Sequence, residues 1–248
     1  ARPFKKDYKN IKHHLYGIQN AKKNFSTGDW LKLVIKKIKE VKKRKKIPIL
    51  VGGTGLYFKA LTDGLSRIPK IPLKIRNQIR ALHQAIGQKR FYQKLLKIDP
   101  MSVNKIKPND THRSLRAYEI KFYTQKSIHN YFKNTKSNFK EIDFYKIYID
   151  FPRKDLIERI ELRTEQMINS GAVSEVKNFI KLKVKKDKSV NKAIGINEIK
   201  QYLKNEKDLH EISEQISIKT RQYAKRQSTW ARGNMRTWLR LKPKHLNK

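Results

Sequence analysis

The chain has 248 residues, of which 38% are apolar, and this is enough to bury a core in one elaborated domain or in two small ones. Its formal net charge of +39, from 60 Lys and Arg against 21 Asp and Glu, predicts a polyanionic partner, with nucleic acid the leading candidate. No apolar run approaches the roughly 20 residues of a membrane span, no signal peptide opens the chain, and cysteine is absent, which excludes a disulfide framework. We therefore expect a cytoplasmic protein that does not enter a membrane. A lysine-rich composition would also spread positive charge over every solvated surface. The net charge alone is therefore weak evidence for RNA binding, and the arrangement of the charges along the chain matters more.

The first predicted element is a helix from Thr27 to Lys45, with Ser26 or Thr27 as its N-cap. Its apolar residues recur with helical spacing, and the predicted buried stripe consists of Trp30, Leu31, Val34, Ile35, Ile38 and Val41. The run from Ile47 to Val51 follows and is almost wholly apolar. This pattern predicts a parallel strand that is covered on both faces within an α/β sheet.

A glycine loop, Gly52, Gly53, Thr54 and Gly55, breaks this strand before the next helix begins. Glycines let backbone N–H groups approach a ligand, and in open α/β sheets ligands bind beyond the carboxyl ends of the strands. Thr54 is the only side chain in the loop that can form hydrogen bonds. The loop lacks the spacing and the Lys-Ser/Thr of a Walker phosphate loop, so a plain strand-to-helix turn remains the alternative.

The region from Ser66 to Asn138 is predicted to be a helical insertion. Helical spacing covers residues 73–88, 90–97 and 111–126, with turns at the intervening prolines. Basic residues alternate with aromatic ones along this region. The combination suits a clamp on single-stranded or looped RNA.

Residues 145–149 predict a second strand, and Pro152 then opens a helix that Gly171 closes. In this helix Arg163 falls on an otherwise apolar stripe with Leu156, Ile160 and Met167. Two interpretations remain open: an arginine whose stem covers apolar surface at the edge of the stripe, or a guanidinium directed inward at a buried anion.

Residues 216–233 hold the most ordered charge of the chain. Helical geometry places Ile216, Tyr223 and Trp230 on one face, and it places a basic ridge of Arg221, Lys225, Ser228 and Arg232 on the other. This ridge is either a solvated helix face or an RNA-binding surface. The use of arginine in a lysine-rich chain favours RNA.

Five segments in this order resemble the tRNA dimethylallyltransferases: VGGTGLYFKALTDGLS, KPNDTHRSLRAYEI, IERIELRTEQMINSGAVSEV, AIGINEIKQYL and TRQYAKRQSTWARG. The resemblance implies transfer of a dimethylallyl group from dimethylallyl diphosphate to N6 of adenosine 37 in tRNA, with Mg²⁺ as cofactor and pyrophosphate as product. It implies an α/β fold with a P-loop NTPase-like parallel-sheet core, formed by residues 1–65 and 139–248. Residues 66–138 would be an all-helical insertion that grips the tRNA anticodon stem-loop. We expect a monomer.

The resemblance also assigns site residues. Thr54 matches a threonine where the target base meets the prenyl donor, flanked by the loop glycines Gly52, Gly53 and Gly55, and Arg163 matches an arginine directed at the diphosphate. The positions that match tRNA-contacting residues or segments are Arg76, His112, Arg113, Ser114, Leu115, Arg116, Lys192, Ala193, Ile194, Gly195, Ile196, Asn197, Arg221, Lys225, Arg226, Gln227, Trp230 and Arg232. At Ile196 and Asn197 the chain departs from the family, which usually has Tyr followed by Lys or Arg, and this departure puts one contact in doubt.

In the family, a phosphate loop and an aspartate that acts as the general base precede the matched motifs. Both are absent from this sequence. We therefore expect a truncated record of a tRNA prenyltransferase whose 248 residues alone are nearly inactive. A non-catalytic RNA-binding remnant is the alternative. A nucleotide kinase relative is disfavoured, because the helical insertion and the arginine-rich helix would have no role there.

Overall fold

The computed structural model describes Tyr8 and residues 11–243, and it shows a helix-rich α/β protein with a small parallel sheet. Two compact units divide the chain: an α/β unit of residues 1–58 and 142–248, and a helical unit of residues 59–141. Among the described residues, no helix is both long and apolar enough to cross a membrane. The predicted insertion, residues 66–138, lies entirely within the helical unit.

The elements of the α/β unit are α1 (Thr27–Lys43), the first turn of α2 (Gly55–Thr62), β1 (Ile147–Ile149), α6 (Arg153–Met167), α7 (Val173–Lys181), α8 (Ile196–Leu203), α9 (Leu209–Asn234) and β2 (Leu239–Leu241). Helix α1 begins as predicted. Ser26 is its N-cap, and Ser26 and Asp29 bond reciprocally to each other's backbone N–H in a capping box. The predicted stripe is confirmed, with four of its residues buried and Trp30 and Ile35 half-buried.

The sheet consists of β1 and β2, which run parallel with Ile147 opposite Leu239. Strand β1 confirms the strand predicted at residues 145–149, although it is shorter. The strand predicted at residues 47–51 is wrong: the segment has no strand hydrogen bonds, and Ile47, Ile49 and Val51 are 86%, 79% and 85% exposed. A strand needs a neighbour to accept and donate its backbone hydrogen bonds, and none of the described segments pairs with this one.

Helices α6 to α9 form the core of the α/β unit. Pro152 immediately precedes the first residue of α6, as predicted. The chain leaves helical geometry at Ser170 and Gly171, and Gly171 adopts a φ of 94° before α7 begins. The buried cluster of this core contains Ala172, Val176, Ile199, Ile212 and Ile216.

The helical unit contains the remainder of α2, then α3 (Leu73–Ile98), α4 (Thr111–Thr124) and α5 (Ile128–Lys133). Helix α3 is two helical segments that meet at Gly87, whose φ of 74° and ψ of 166° break the helix close to the break predicted after residue 88. The core of the helical unit is well packed: Leu95, Ala117 and Ile120 are completely buried, and aromatic rings pack around them.

Candidate active site and RNA interface

The glycine loop leads directly into α2. The carbonyl oxygen of Thr54 accepts hydrogen bonds from the N–H groups of Tyr57 and Phe58, at 2.9 and 3.4 Å, so Thr54 is held at the helix entrance. Gly52, Gly53 and Thr54 are exposed, and Gly55 is half-buried. The hydroxyl of Thr54 is therefore accessible to a ligand, as its predicted role requires.

Helix α9 packs directly on this loop. A Cβ atom added to Gly53 would overlap the side-chain amide of Gln227, and one added to Gly55 would overlap the indole ring of Trp230. The close approach explains why glycine occupies both positions. It also joins two predicted parts of the site, the glycine loop and two residues of the tRNA-contacting helix, in one place.

Aromatic rings surround the start of α2. Trp30 stacks on Tyr57 with ring centroids 4.3 Å apart and planes 14° apart, and Phe58 meets Trp238 edge-on at 5.5 Å. Burial, with a smaller contribution from Tyr223, raises the pKa of Tyr57 above its ordinary value. A tyrosine is already neutral near pH 7 at its ordinary pKa, and the shift favours the same protonated form of Tyr57.

Arg163 does not lie on the buried stripe of α6, and this part of the prediction is wrong. The buried residues of α6 are Ile160 and Thr164, and the Thr164 hydroxyl donates to the Ile160 carbonyl oxygen at 2.9 Å. Leu156, Ile160 and Met167 keep their predicted places on the buried or half-buried side, and Thr164 takes the place predicted for Arg163. Threonine can be buried there because its hydroxyl is satisfied within its own helix. Arg163 is exposed, so its guanidinium remains accessible to an anion from solvent.

The segment 192–197 is only partly available to RNA. Lys192, Ala193 and Asn197 are exposed, whereas Ile194 and Ile196 pack on the buried cluster of the α/β unit and Gly195 is buried. The side chains of Ile194 and Ile196 thus contribute to core packing, which explains how isoleucine is accommodated at the departure from the family pattern.

A buried carboxylate organises this segment. Glu198, on α8, accepts a 2.8 Å hydrogen bond from the N–H of Gly195 and pairs with Lys219 of α9. Burial raises the pKa of Glu198, but the hydrogen bonds from Lys219 and from the backbone outweigh burial and hold the pKa below its ordinary value. Glu198 therefore stays ionised and ties the start of α8 to α9.

Helix α9 confirms the predicted basic helix, with one correction to its faces. Ile216 is buried and Trp230 half-buried, but Tyr223 is 41% exposed and does not continue the apolar face. Lys225, Arg226 and Arg232 are exposed. Arg221 pairs with Glu161 of α6 at 3.2 Å, between its Nη1 and the Glu161 Oε1. The basic ridge is thus accessible over its C-terminal part and tied to α6 at Arg221.

In the helical unit, the segment 112–116 forms the first turns of α4. Asp110 caps the helix by accepting from the N–H of Arg113, and it also pairs with the Arg113 guanidinium at 3.0 Å. His112 and Arg113 are exposed, and Leu115 is half-buried. Ser114 is completely buried and accepts a 3.3 Å hydrogen bond from the Gln88 amide. The Ser114 side chain is therefore a structural group and not an RNA contact.

Two further predicted residues, Arg76 of α3 and Arg116 of α4, meet at the buried carboxylate of Glu119. Each has a guanidinium nitrogen 3.5 Å from Glu119 Oε2, and Nε of Arg80 lies 3.9 Å from Glu119 Oε1. Sequence reasoning missed Arg80 and Glu119. The available signal was their spacing: Arg80 follows Arg76 by four residues and Glu119 follows Arg116 by three, which places each pair on one helix face.

The described residues contain no group of three or more His, Asp or Glu side chains that could hold a metal ion.

Comparison with known proteins identifies the family. The model of a family described as IPP transferase matches residues 1–234. The chain belongs to this family. It is 59% identical over 243 residues to a tRNA dimethylallyltransferase of Pelagibacter ubique, covering 98% of this chain and 78% of that protein. It is 40% identical over 227 residues to a tRNA dimethylallyltransferase of Rickettsia massiliae, covering 91% of this chain but only 62% of that relative.

Solved structures of the family have the same fold. A full-length tRNA isopentenylpyrophosphate transferase from Bacillus halodurans aligns with a TM-score of 0.64 at 30% identity, over 97% of this chain and 75% of that one. A eukaryotic dimethylallyltransferase acting on tRNA aligns with a TM-score of 0.78 at 25% identity, over 93% of this chain and 58% of that one. These comparisons confirm the family resemblance read from the motifs.

Proposed function

We propose that this chain forms the RNA-binding part and one wall of the acceptor site of an enzyme that prenylates tRNA. The reaction would transfer a dimethylallyl group from dimethylallyl diphosphate to N6 of adenosine 37, beside the anticodon, and release pyrophosphate. The family match over residues 1–234 carries this proposal. The packing of Gln227 and Trp230 on the glycine loop supports it, because it joins the predicted acceptor loop to a predicted RNA-contacting helix.

The charge of the chain agrees with a tRNA substrate. A formal charge of +39 favours association with a polyanion, and exposed cations lie in both units at positions that the family resemblance assigns to tRNA contacts. Arg113 is an example in the helical unit, and Lys225 and Arg232 are examples in the α/β unit. Backbone contacts of this kind position an RNA without reading its sequence.

The chemistry defines what the acceptor site must do. Adenine N6 is a poor nucleophile, because its lone pair is delocalised into the ring. A bond forms between N6 and C1 of the prenyl group while the bond from C1 to the diphosphate oxygen breaks, and a base takes the N6 proton. A well-placed base contributes about 10²- to 10⁴-fold. We assign Thr54 to the acceptor wall and Arg163 to the departing diphosphate, where a guanidinium stabilises developing negative charge.

The remaining expectations belong to the same proposal. The family resemblance assigns the base and a phosphate-binding loop to a P-loop NTPase-like core. Mg²⁺ would accompany the diphosphate, whose oxygens are ligands that this ion prefers. The enzyme would act as a monomer in the cytoplasm.

Mass spectrometry of tRNA after incubation with dimethylallyl diphosphate tests the reaction. Three proteins are compared: the 248-residue chain, a chimera carrying the part of the Pelagibacter ubique relative that lies outside the alignment, and the chimera with Thr54→Val. We expect little transfer by the chain, transfer to one adenosine by the chimera, and a loss of at least tenfold with Thr54→Val, provided that tRNA binding is retained.

Two results would contradict the proposal. Failure of the chain to bind tRNA would remove the substrate assignment. If the chimera binds tRNA and the donor but transfers nothing, the chain is an RNA-binding protein only.

A further inference from the structure

The arginine cluster of the helical unit consists of Arg76, Arg80 and Arg116 around Glu119. Arg76 and Arg80 are one helical turn apart on α3, and Arg116 and Glu119 are three residues apart on α4. The Glu119 side chain is only 3% exposed, whereas those of the three arginines are 39%, 51% and 42% exposed. The carboxylate is thus enclosed while the guanidinium groups reach solvent.

One carboxylate cannot satisfy three guanidinium groups. Each guanidinium carries five N–H donors, so the cluster offers roughly fifteen donors to about four acceptor sites on Glu119. The Nε atom of Arg76 is buried and makes no hydrogen bond, although it lies 3.5 Å from Glu119 Oε2. In the described structure the only hydrogen bond to Glu119 from this cluster is that from Arg116, at 3.5 Å. Most donors therefore remain available to another acceptor.

The charge balance also points to an anionic ligand. Three cations around one anion leave a local excess of two positive charges, and like charges this close repel each other. An anion bound at the exposed side would relieve this repulsion. Guanidinium groups match the oxygens of a phosphate group in a bidentate arrangement, which a lysine ammonium cannot provide.

We infer that Arg76, Arg80 and Arg116 bind one phosphate group of the RNA backbone, and that Glu119 positions their guanidinium groups for this contact. The inference rests on the proposed function, since tRNA is the ligand. It goes beyond the family resemblance, which points to Arg76 and Arg116, by adding Arg80 as a third ligand and Glu119 as a positioning residue.

If Glu119 positions the arginines, its removal should change tRNA affinity in the direction opposite to the one expected from its charge alone. Glu119→Gln removes a negative charge from beneath an RNA-binding surface, and Coulomb attraction alone would tighten tRNA binding. If Glu119 orients the arginines, the same substitution weakens binding, because the guanidinium groups lose their shared anchor. The Asp63→Asn control removes one carboxylate charge from an exposed site of the same unit.

The test measures the affinity of the chain for tRNA between about 50 and 200 mM salt. We expect Arg80→Gln to weaken binding about three- to tenfold and to reduce the salt slope. The reduction should not exceed about 0.7 to 1, the value of one phosphate contact, because Arg76 and Arg116 remain at the same phosphate. Arg90→Gln, an identical charge change at an exposed residue of the same helix, should keep the slope. Glu119→Gln should also weaken binding, Glu119→Asp should restore part of it, and Arg80→Gln should cost less in the Glu119→Gln background.

Phosphate ethylation interference locates the contact. Ethylation of one tRNA phosphate should interfere with binding to the chain and to Arg90→Gln, and this interference should be weaker with Arg80→Gln. The inference is overturned if Arg80→Gln equals Arg90→Gln, or if Glu119→Gln binds more tightly while its circular dichroism is unchanged. It is also overturned if the variants, placed in the chimera, raise the KM for dimethylallyl diphosphate while tRNA affinity stays unchanged, since the site would then serve the donor. If the unmodified chain does not bind tRNA at all, the proposed function is rejected instead.

Discussion

Leu95 and Ile120 of the helical unit are completely enclosed, whereas Ile47, Ile49 and Val51 of the α/β unit are among the most exposed apolar side chains of the protein. All five occur in strongly apolar patterns. The difference lies in what each pattern requires: a helix satisfies its own backbone and needs only a packing surface, whereas a strand also needs hydrogen-bonding neighbours. The helical unit closes its core from local elements. Among its described residues, the α/β unit has two paired strands of three residues, fewer than a stable independent sheet requires.

The largest expected effect tests this comparison directly. Leu95→Ala should lower the free energy of unfolding of the helical unit by about 2 to 5 kcal/mol, because it leaves a cavity in a closed core. Ile49→Ala should change stability by less than about 0.5 kcal/mol. All three tryptophans, Trp30, Trp230 and Trp238, lie in the α/β unit. Urea unfolding followed by tryptophan fluorescence therefore reports on the α/β unit, and unfolding followed by circular dichroism reports on the helical unit as well. A cost for Ile49→Ala close to that of Leu95→Ala would show that the segment 47–51 is packed in solution.

The next effect tests how tightly the glycine loop is packed, in contrast to the exposed segment just before it. Gly55→Ala should destabilise the α/β unit by about 1 to 3 kcal/mol, because the new methyl group displaces the indole of Trp230. Gly53→Ala should cost less, because it meets the end of the flexible Gln227 side chain. Urea unfolding and the emission maximum of the folded protein are the measurements. Equal costs, or an unchanged emission with Gly55→Ala, would contradict the close packing of α9 on the loop.

Local signals were sufficient for the helices. The Ser26 and Asp29 pair, the apolar stripe of α1 and the proline at the start of α6 each act within one turn of helix, so the sequence determines them without reference to the rest of the chain. The family was also recognisable, because five motifs in a fixed order cannot arise from composition alone.

Long-range contacts could not be predicted in the same way. The isolation of residues 47–51 depends on which strands pair, and the burial of Ser114 depends on Gln88, 26 residues away. The meeting of Arg76, Arg80 and Arg116 at Glu119 depends on how α3 packs on α4. Arg163 was misplaced because Thr164, polar by type, satisfies its hydroxyl within the helix and is buried in its place.

The junction of α8 and α9 belongs to the α/β unit but is well packed, like the core of the helical unit. Its stability should depend on pH. The folded-state pKa of Glu198 is lowered, so its stabilising contribution is fully present above the ordinary value of 4.5 and is lost progressively as the pH falls from there through the lowered pKa. Glu198→Gln should cost about 1 to 3 kcal/mol near pH 7, and the gap from wild type should narrow toward pH 4. Glu214→Gln, at an exposed position of α9, is the matched control. A gap that is independent of pH would show that packing, and not charge, accounts for the cost.

The smallest expected effect separates stability from RNA binding at Arg221. Its ion pair with Glu161 joins α6 to α9, but both side chains are partly exposed, so Arg221→Gln should cost only about 0.2 to 1 kcal/mol. The same ion pair occupies a guanidinium group assigned to tRNA. Glu161→Gln breaks the same ion pair, so it should cost a similarly small amount of stability. It should at the same time tighten tRNA binding, because it releases Arg221 and removes a negative charge beside it.

A double-mutant cycle of Arg221→Gln and Glu161→Gln resolves these two roles, with unfolding and tRNA affinity measured on the same four proteins. If Arg221 contacts RNA, the gain from Glu161→Gln should shrink in the Arg221→Gln background. If the gain is the same in both backgrounds, Glu161 acts only as a distant charge, and the basic ridge of α9 would begin at Lys225. The cycle thus locates the N-terminal limit of the RNA-binding surface proposed for α9, where the helix changes from packing on its neighbours to presenting its side chains to solvent.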